Sequence, residues 1–146
     1  MVCFVTDKRP ISYNSRKKSA YQRELKKAFE SYKAFYSQLP LEGELSSNVV
    51  YFYRDQNGTL DVDNLSKPFI DAFSGIIYHD DSQIKHRECS CISLRCDQNF
   101  EINYSGMSEK AAKKLENYIH KGAKHILYFE VGDFLLKQVK IGGQSI

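Results

Sequence analysis

The chain has 146 residues, 42% of them apolar and 13% aromatic, with no Trp and a net charge of +3. That length makes one compact domain the default, large enough to hold a core without disulfides. No apolar run approaches the length needed to span a bilayer, and residues 1–6 carry neither the charged start nor the long apolar stretch of a secretory signal.

Residues 1–6 read as a first strand, followed by a loop with Pro10 and Asn14. A long helix is then expected from Arg16 or Lys17 to about Gln38, stopped by Pro40. Tyr21, Leu25, Ala28, Tyr32, Phe35 and Leu39 recur in steps of four and three, which predicts one buried stripe. The lysines of this segment fall largely outside the stripe. Residues 48–54, β-branched and aromatic, predict a strand, and Asp55-Gln56-Asn57-Gly58 a turn.

Residues 60–73 read LDVDNLSKPFIDAF. An extended piece carrying Asp61 and Asp63 is expected to lead into a short helix capped by Asn64 or Ser66, with Pro68 in its first turn. Phe69, Ile70, Ala72 and Phe73 form its buried face, and Gly75 ends it. Ile76-Ile77-Tyr78 is a brief extended run that delivers His79, Asp80 and Asp81.

A strand over 84–94, a turn at Asp97-Gln98-Asn99 and a strand over 100–104 predict a hairpin. Ser108 is expected to cap a second amphipathic helix, with Ala111, Ala112, Leu115, Tyr118 and Ile119 inward and Gly122 at its end. Two last strands, 125–131 and 134–139, meet at Gly132-Asp133. With no repeat, linker or low-complexity tract, the pattern describes one α+β domain.

Cys3, Cys89, Cys91 and Cys96 fit no disulfide framework and no common zinc spacing, so structural thiols in a reduced, cytoplasmic protein are expected. His79, His86, His120 and His125 form no ligand pattern. An EF-hand starting near Asp55 is excluded by Tyr53, and no Walker A, G-x-S-x-G or H-E-x-x-H motif occurs.

The carboxylates cluster as Asp61/Asp63 and Asp80/Asp81, each at the edge of an apolar segment. On a strand, residues two apart share a face, so Asp61 and Asp63 can converge on one point, with Asp81 completing the set if its strand end lies beside them. Oxygen-only ligands suit Mg²⁺, with Mn²⁺ a possible substitute; such an ion stabilises charge at phosphorus and lowers the pKa of bound water. Lys67 would project nearby, an ammonium suited to the transition-state charge. From spacing alone, Asp63 as a cap, Asp80/Asp81 as a solvated turn and Lys67 as a surface residue remain open readings. Two basic segments, with Lys26, Lys27 and Lys33 early and Lys110, Lys113 and Lys114 late, suit a polyanion, or else are solvated helix faces.

The run Asp61-Val62-Asp63-Asn64-Leu65-Ser66-Lys67, then Asp71-Ala72, then Asp80-Asp81-Ser82-Gln83-Ile84 resembles the RusA family of Holliday junction resolvases over roughly residues 1–104. The resemblance implies a mixed β-sheet packed against the long first helix, within one nuclease domain over 1–146. Residues 105–146 would form a C-terminal extension of a helix plus a β-hairpin. It implies Asp61, Asp63, Lys67 and Asp81 as catalytic residues and Asp61, Asp63 and Asp81 as metal ligands, with the adjacent Asp80 a further candidate ligand. It further implies a Mg²⁺-dependent homodimer that nicks opposed strands of a four-way DNA junction in recombination, repair or phage DNA processing. The six lysines named above are the expected DNA contacts. The basic run before Asp61 is thin, with only Arg54 nearby. A DNA-binding module without chemistry, and a flap or RNA nuclease with the same metal chemistry, are the competing readings.

Overall fold

The structure is a computed structural model that describes residues 1–12, 14–54, 61–95 and 99–146. The predicted turn at 55–58, Cys96 and the Asp97-Gln98 part of the predicted hairpin lie outside the described residues.

Four strands form one mixed sheet in the order β1-β4-β2-β3. These are β1 (Val2–Thr6), β2 (Leu45–Tyr53), β3 (Ile84–Ser93) and β4 (His125–Asp133). β4 pairs antiparallel with both β1 and β2, whereas β2 and β3 run parallel. A parallel pair needs a crossover, and here it is made by α2 (Val62–Leu65) and α3 (Lys67–Phe73). The acidic motif therefore rides on the crossover of a β-α-β unit.

The sheet and α3 are joined by aromatic packing. Phe4 of β1 meets Phe73 edge-on at 5.3 Å and Phe129 of β4 at 5.6 Å, while Phe69 stacks on Phe129 at 4.9 Å. Phe69, Ile70, Ala72 and Phe73 are all buried, as the sequence predicts. Gly75 adopts φ +81, the left-handed conformation that ends α3. The long helix, α1 (Lys18–Lys33), packs against α3 and β1.

The buried stripe of α1 differs from expectation. Tyr21, Leu25, Phe29 and Tyr32 are buried, Ala28 only partly, and Phe35 is exposed. Both stripes obey the helical period; the observed one buries the larger Phe29. The helix also ends earlier than Pro40 requires, in tight turns in which Phe35 N–H donates to the Tyr32 carbonyl and Tyr36 N–H to that of Lys33. This turn brings Tyr36 inward. Its hydroxyl accepts from Cys3 N–H at 3.0 Å and donates to the Cys3 carbonyl at 3.1 Å, satisfying backbone groups on edge strand β1. Phe35 is left outside.

Three other expectations are corrected. Ile76 and Ile77 form a turn rather than an extended run, with both N–H groups on the Phe73 carbonyl, and Tyr78 alone makes isolated bridges, to Leu41 and Ser74. Residues 99–104 form no strand, so the hairpin with β3 is absent among the described residues. Instead the segment packs on the sheet, Phe100 stacking on Phe52 at 6.0 Å, with Ile102 and Tyr104 partly buried. No strand spans 134–139; a single helical turn at Leu136–Gln138 leads into a small hairpin of β5 (Lys140–Ile141) and β6 (Gln144–Ser145). Gly142 and Gly143, both at positive φ, make its two-residue turn.

The second amphipathic helix is α4 (Glu109–His120), with the Ser108 hydroxyl accepting from Ala111 N–H as expected. Its C-terminal end is held by Arg54, whose guanidinium donates to the Ile119 carbonyl at 2.8 Å and the Ala123 carbonyl at 3.1 Å. The one basic residue shortly before Asp61 in sequence thus neutralises the negative end of a helix. Residues beyond 104 supply β4, which separates β1 from β2 inside the sheet. None of the helices among the described residues is long and apolar enough to cross a membrane.

Candidate active site

Pro68 has no N–H to return to Asn64, so the motif breaks into two short helical turns instead of one helix. Asp61 precedes the first turn in an extended conformation, and its carbonyl accepts from Asn64 N–H. Asp63 sits within that turn. The expected strand pairing of Asp61 with Asp63 is therefore corrected: a helical turn, rather than a pleat, spaces them. Neither Asn64 nor Ser66 caps with its side chain.

α2 lies over β3, and between them is a cleft of about 410 Å³ lined by Val62, Asp63, Ser66, Arg87 and Cys89. Asp63 thus shares a cleft with Arg87 and Cys89 of the edge strand. Sequence reasoning missed Arg87, because nothing local announces that β3 will run parallel to β2 beneath α2. Cys89 and Cys91 are partly buried on this strand, and burial beside Cys89 pushes the Cys91 thiol up.

Lys67 is where the two acidic segments meet. Its ammonium donates to Asp71 Oδ1 at 2.9 Å and lies 3.7 Å from Asp81 Oδ2. All three side chains are partly buried. Asp71 is the second residue missed as a site member, though its place four residues after Lys67 was a readable signal, since side chains so spaced meet on a helix. Tyr78 backs the group from the core, its hydroxyl donating to the Ile70 carbonyl at 2.5 Å. Burial raises this hydroxyl far above its ordinary pKa; Arg87 opposes the rise, and Asp71 and Asp81 add to it. The charges of Arg87, Asp71 and Asp81 are thus all felt at one buried atom.

Asp80 and Asp81 are adjacent but differently used. The Asp80 carboxylate accepts from Ser82 N–H at 3.1 Å, capping the turn Asp81–Gln83, and these bonds hold it below the ordinary carboxylate range. Gln83 ties the same turn down. Its amide donates to the Leu41 and Gly43 carbonyls, and its oxygen accepts from His79 and Asp80 N–H. Both residues serve to aim Asp81 at Lys67. His79 points away, to Glu42 at 2.8 Å.

Asp61 and Asp63 are exposed, with no ion pair recorded among the described residues. No three acidic, histidine or cysteine side chains among the described residues form a ready metal cage. Magnesium does not need one: it binds through one or two carboxylates and keeps its remaining waters. The carboxylates of Asp61, Asp63 and Asp81 are hard oxygen donors of the kind that magnesium takes.

A second basic region lies where α1 and α4 flank β1. Lys8, Lys27 and Lys114 line one cleft with Glu24 and Tyr118. Lys110, Lys113 and Lys114 line another with Phe35 and Asn117. Lys26, Lys27 and Lys33 are exposed on α1. Lys110 is partly committed: its ammonium donates to the Ser31 carbonyl at 2.6 Å and lies 4.7 Å from the Tyr32 ring centre. Lys113 pairs with Glu109 at 2.7 Å.

A family model for endodeoxyribonuclease RusA matches residues 4–103, a span that includes every member of the acidic cluster. No curated protein matches the sequence. With more than half of the chain matched, and the lysine and carboxylates of the motif gathered on one crossover, the chain belongs to the RusA endodeoxyribonuclease family.

Proposed function

We propose that this chain is a Mg²⁺-dependent endonuclease that resolves four-way DNA junctions by paired nicking, acting as a homodimer. The observation that carries the reading is the Lys67 ammonium, held at 2.9 Å from Asp71 and 3.7 Å from Asp81 at the mouth of an acidic crossover. Two carboxylates from separate segments of the motif converge on this one ammonium. An ammonium meant to meet a pentacovalent phosphate must be fixed in advance, since a preorganised charge costs no reorganisation during reaction.

Asp61, Asp63 and Asp81 would hold the ion, which when bound supplies charge stabilisation at a phosphate oxygen and a more acidic bound water. Lys67 stabilises charge on the phosphate or assists the departing 3′ oxygen. Asp71 keeps the ammonium in place, and Asp80 caps the turn that presents Asp81. Arg87, across the cleft from Asp63, is placed to hold a phosphodiester. Lys26, Lys27, Lys33, Lys110, Lys113 and Lys114 give the flanking duplex a cationic track. Two-fold symmetry in the dimer matches the two opposed strands of a junction.

The test is incubation of the protein with a synthetic four-way junction, a matched duplex, a flap and single-stranded RNA, with and without Mg²⁺. Symmetric nicks in the junction that require Mg²⁺ are expected. Preferential cutting of the flap or RNA would reassign the substrate, and binding with no cutting of any substrate would leave a DNA-binding module.

A further inference from the structure

Phe35 is the anomaly of the surface. The helical period places it in the core, yet it is 62% exposed, because the end of α1 turns Tyr36 inward instead. It stands at the rim of an open cleft of about 670 Å³ whose other lining residues are Glu109, Lys110, Lys113, Lys114 and Asn117. The Lys110 ammonium lies 5.9 Å from the Phe35 ring centre and is itself fixed by the Ser31 carbonyl and the Tyr32 ring. The cation is therefore set in place beside the ring before any ligand arrives.

We propose that this cleft is a stacking site for an unpaired nucleobase, with the α4 lysines holding the phosphates on either side of it. The proposal rests on the branched-DNA reading above and assigns it a second contact, away from the scissile bond. Charge complementarity selects the occupant. Three ammonium groups face one carboxylate, that of Glu109, which is already paired with Lys113. Such a rim repels a second copy of the same face and attracts a polyanion. An exposed aromatic ring within a cationic groove is what single-stranded nucleic acid requires, since every base has a face to stack whatever its sequence. Asn117 adds a donor and an acceptor for a base edge. The site is also joined to the chemistry. The Gln22 side chain near the start of α1 donates to the Pro68 carbonyl beside Lys67 at 3.1 Å, and Phe35 follows the other end of the same helix.

The test uses the full chain without Mg²⁺, titrated onto a four-way junction, a single strand and a duplex, with 2-aminopurine at the branch or within the strand. Phe35→Ala is expected to weaken binding of the junction and single strand about tenfold, to abolish the quenching of 2-aminopurine, and to leave duplex affinity unchanged. The slope of log affinity against log salt should stay the same, because no charge is removed, whereas Lys114→Ala should reduce it by about one unit. Phe35→Leu, apolar but without a π face, should resemble the alanine variant. An equal loss on duplex, no loss at all, or a dimer that Phe35→Ala converts to monomer would each overturn the proposal. A wild-type protein that nicks junctions while Phe35→Ala binds them normally removes this inference alone. A wild-type protein that neither binds nor nicks any DNA removes the branched-DNA reading with it.

Discussion

The acidic crossover and the lysine clefts between α1 and α4 are built in opposite ways. In the first, two short helical turns are pinned to the sheet by Phe69 and Phe73, and Lys67, Asp71, Asp80 and Asp81 are each held by a named partner. In the second, lysines extend from longer helices, and Lys26, Lys27 and Lys33 lie in open solvent. Chemistry on a phosphate demands geometry, which only a buried scaffold can supply. Holding a polyanion demands charge density, which tolerates motion. Sequence motifs concentrate in the first region because position matters there; the second region is legible only as a count of lysines.

The comparison breaks most visibly at the carboxylates. Asp61→Asn, Asp63→Asn and Asp81→Asn should each lower kcat by about a thousandfold, roughly 4 kcal/mol of transition-state stabilisation, with junction affinity nearly intact. Asp80→Asn is the internal control, since Asn caps a helical turn nearly as well as Asp. Single-turnover rates on a preformed junction complex measure all four, and wild-type rates in any two of the first three would sink the assignment.

A finer cut separates Lys67 from Asp71. A helical pair at this spacing stabilises the fold by only about 0.3–0.5 kcal/mol, so Asp71→Ala should barely move the melting temperature. Its effect on kcat should be about tenfold or more and confined to proteins that retain Lys67. In a Lys67→Ala background, removing Asp71 should cost nothing further. Additive losses in this double-mutant cycle would show that Asp71 acts by some other route.

The smallest effects belong to the lysine clefts. Lys26→Ala and Lys27→Ala should each lower the salt slope of junction binding by about one unit and leave kcat at saturating DNA unchanged. Salt titrations by fluorescence anisotropy read this directly. A flat response would make these residues a solvated face, and the DNA path would then run along the Arg87 edge.

Much of this was readable in advance. The α3 core face, the Ser108 cap and the strand after Asp81 follow from local periodicity and turn chemistry, and the structure has them as expected. The stripe of α1 was readable only in part, since Ala28 and Phe29 fit a helical seam equally well and volume decides between them. The strand pairings were not readable. Residues 84–94 and 100–104 carry a hairpin pattern, but β3 finds its partner in β2 through the crossover, leaving 99–104 to cover the sheet face. Asp61 and Asp63 were legible as a pair and illegible as a turn, because the break at Pro68 reaches back to Asn64.

The position of β4 has a consequence for how the chain folds. β1 precedes β2, α3 and β3, yet its strand partner among the described residues, β4, follows all of them. Before β4 docks, the β2–α3–β3 unit can pair within itself, whereas β1, buried along its whole length in the folded protein, has no strand to pair with. Closing the sheet is a late, long-range event of the kind that slows folding and exposes apolar surface on the way. The acidic crossover lies within the β2–α3–β3 unit, while its aromatic anchor at Phe129 comes only with the closing strand. The geometry of the crossover and the closing of the sheet are coupled through one phenylalanine.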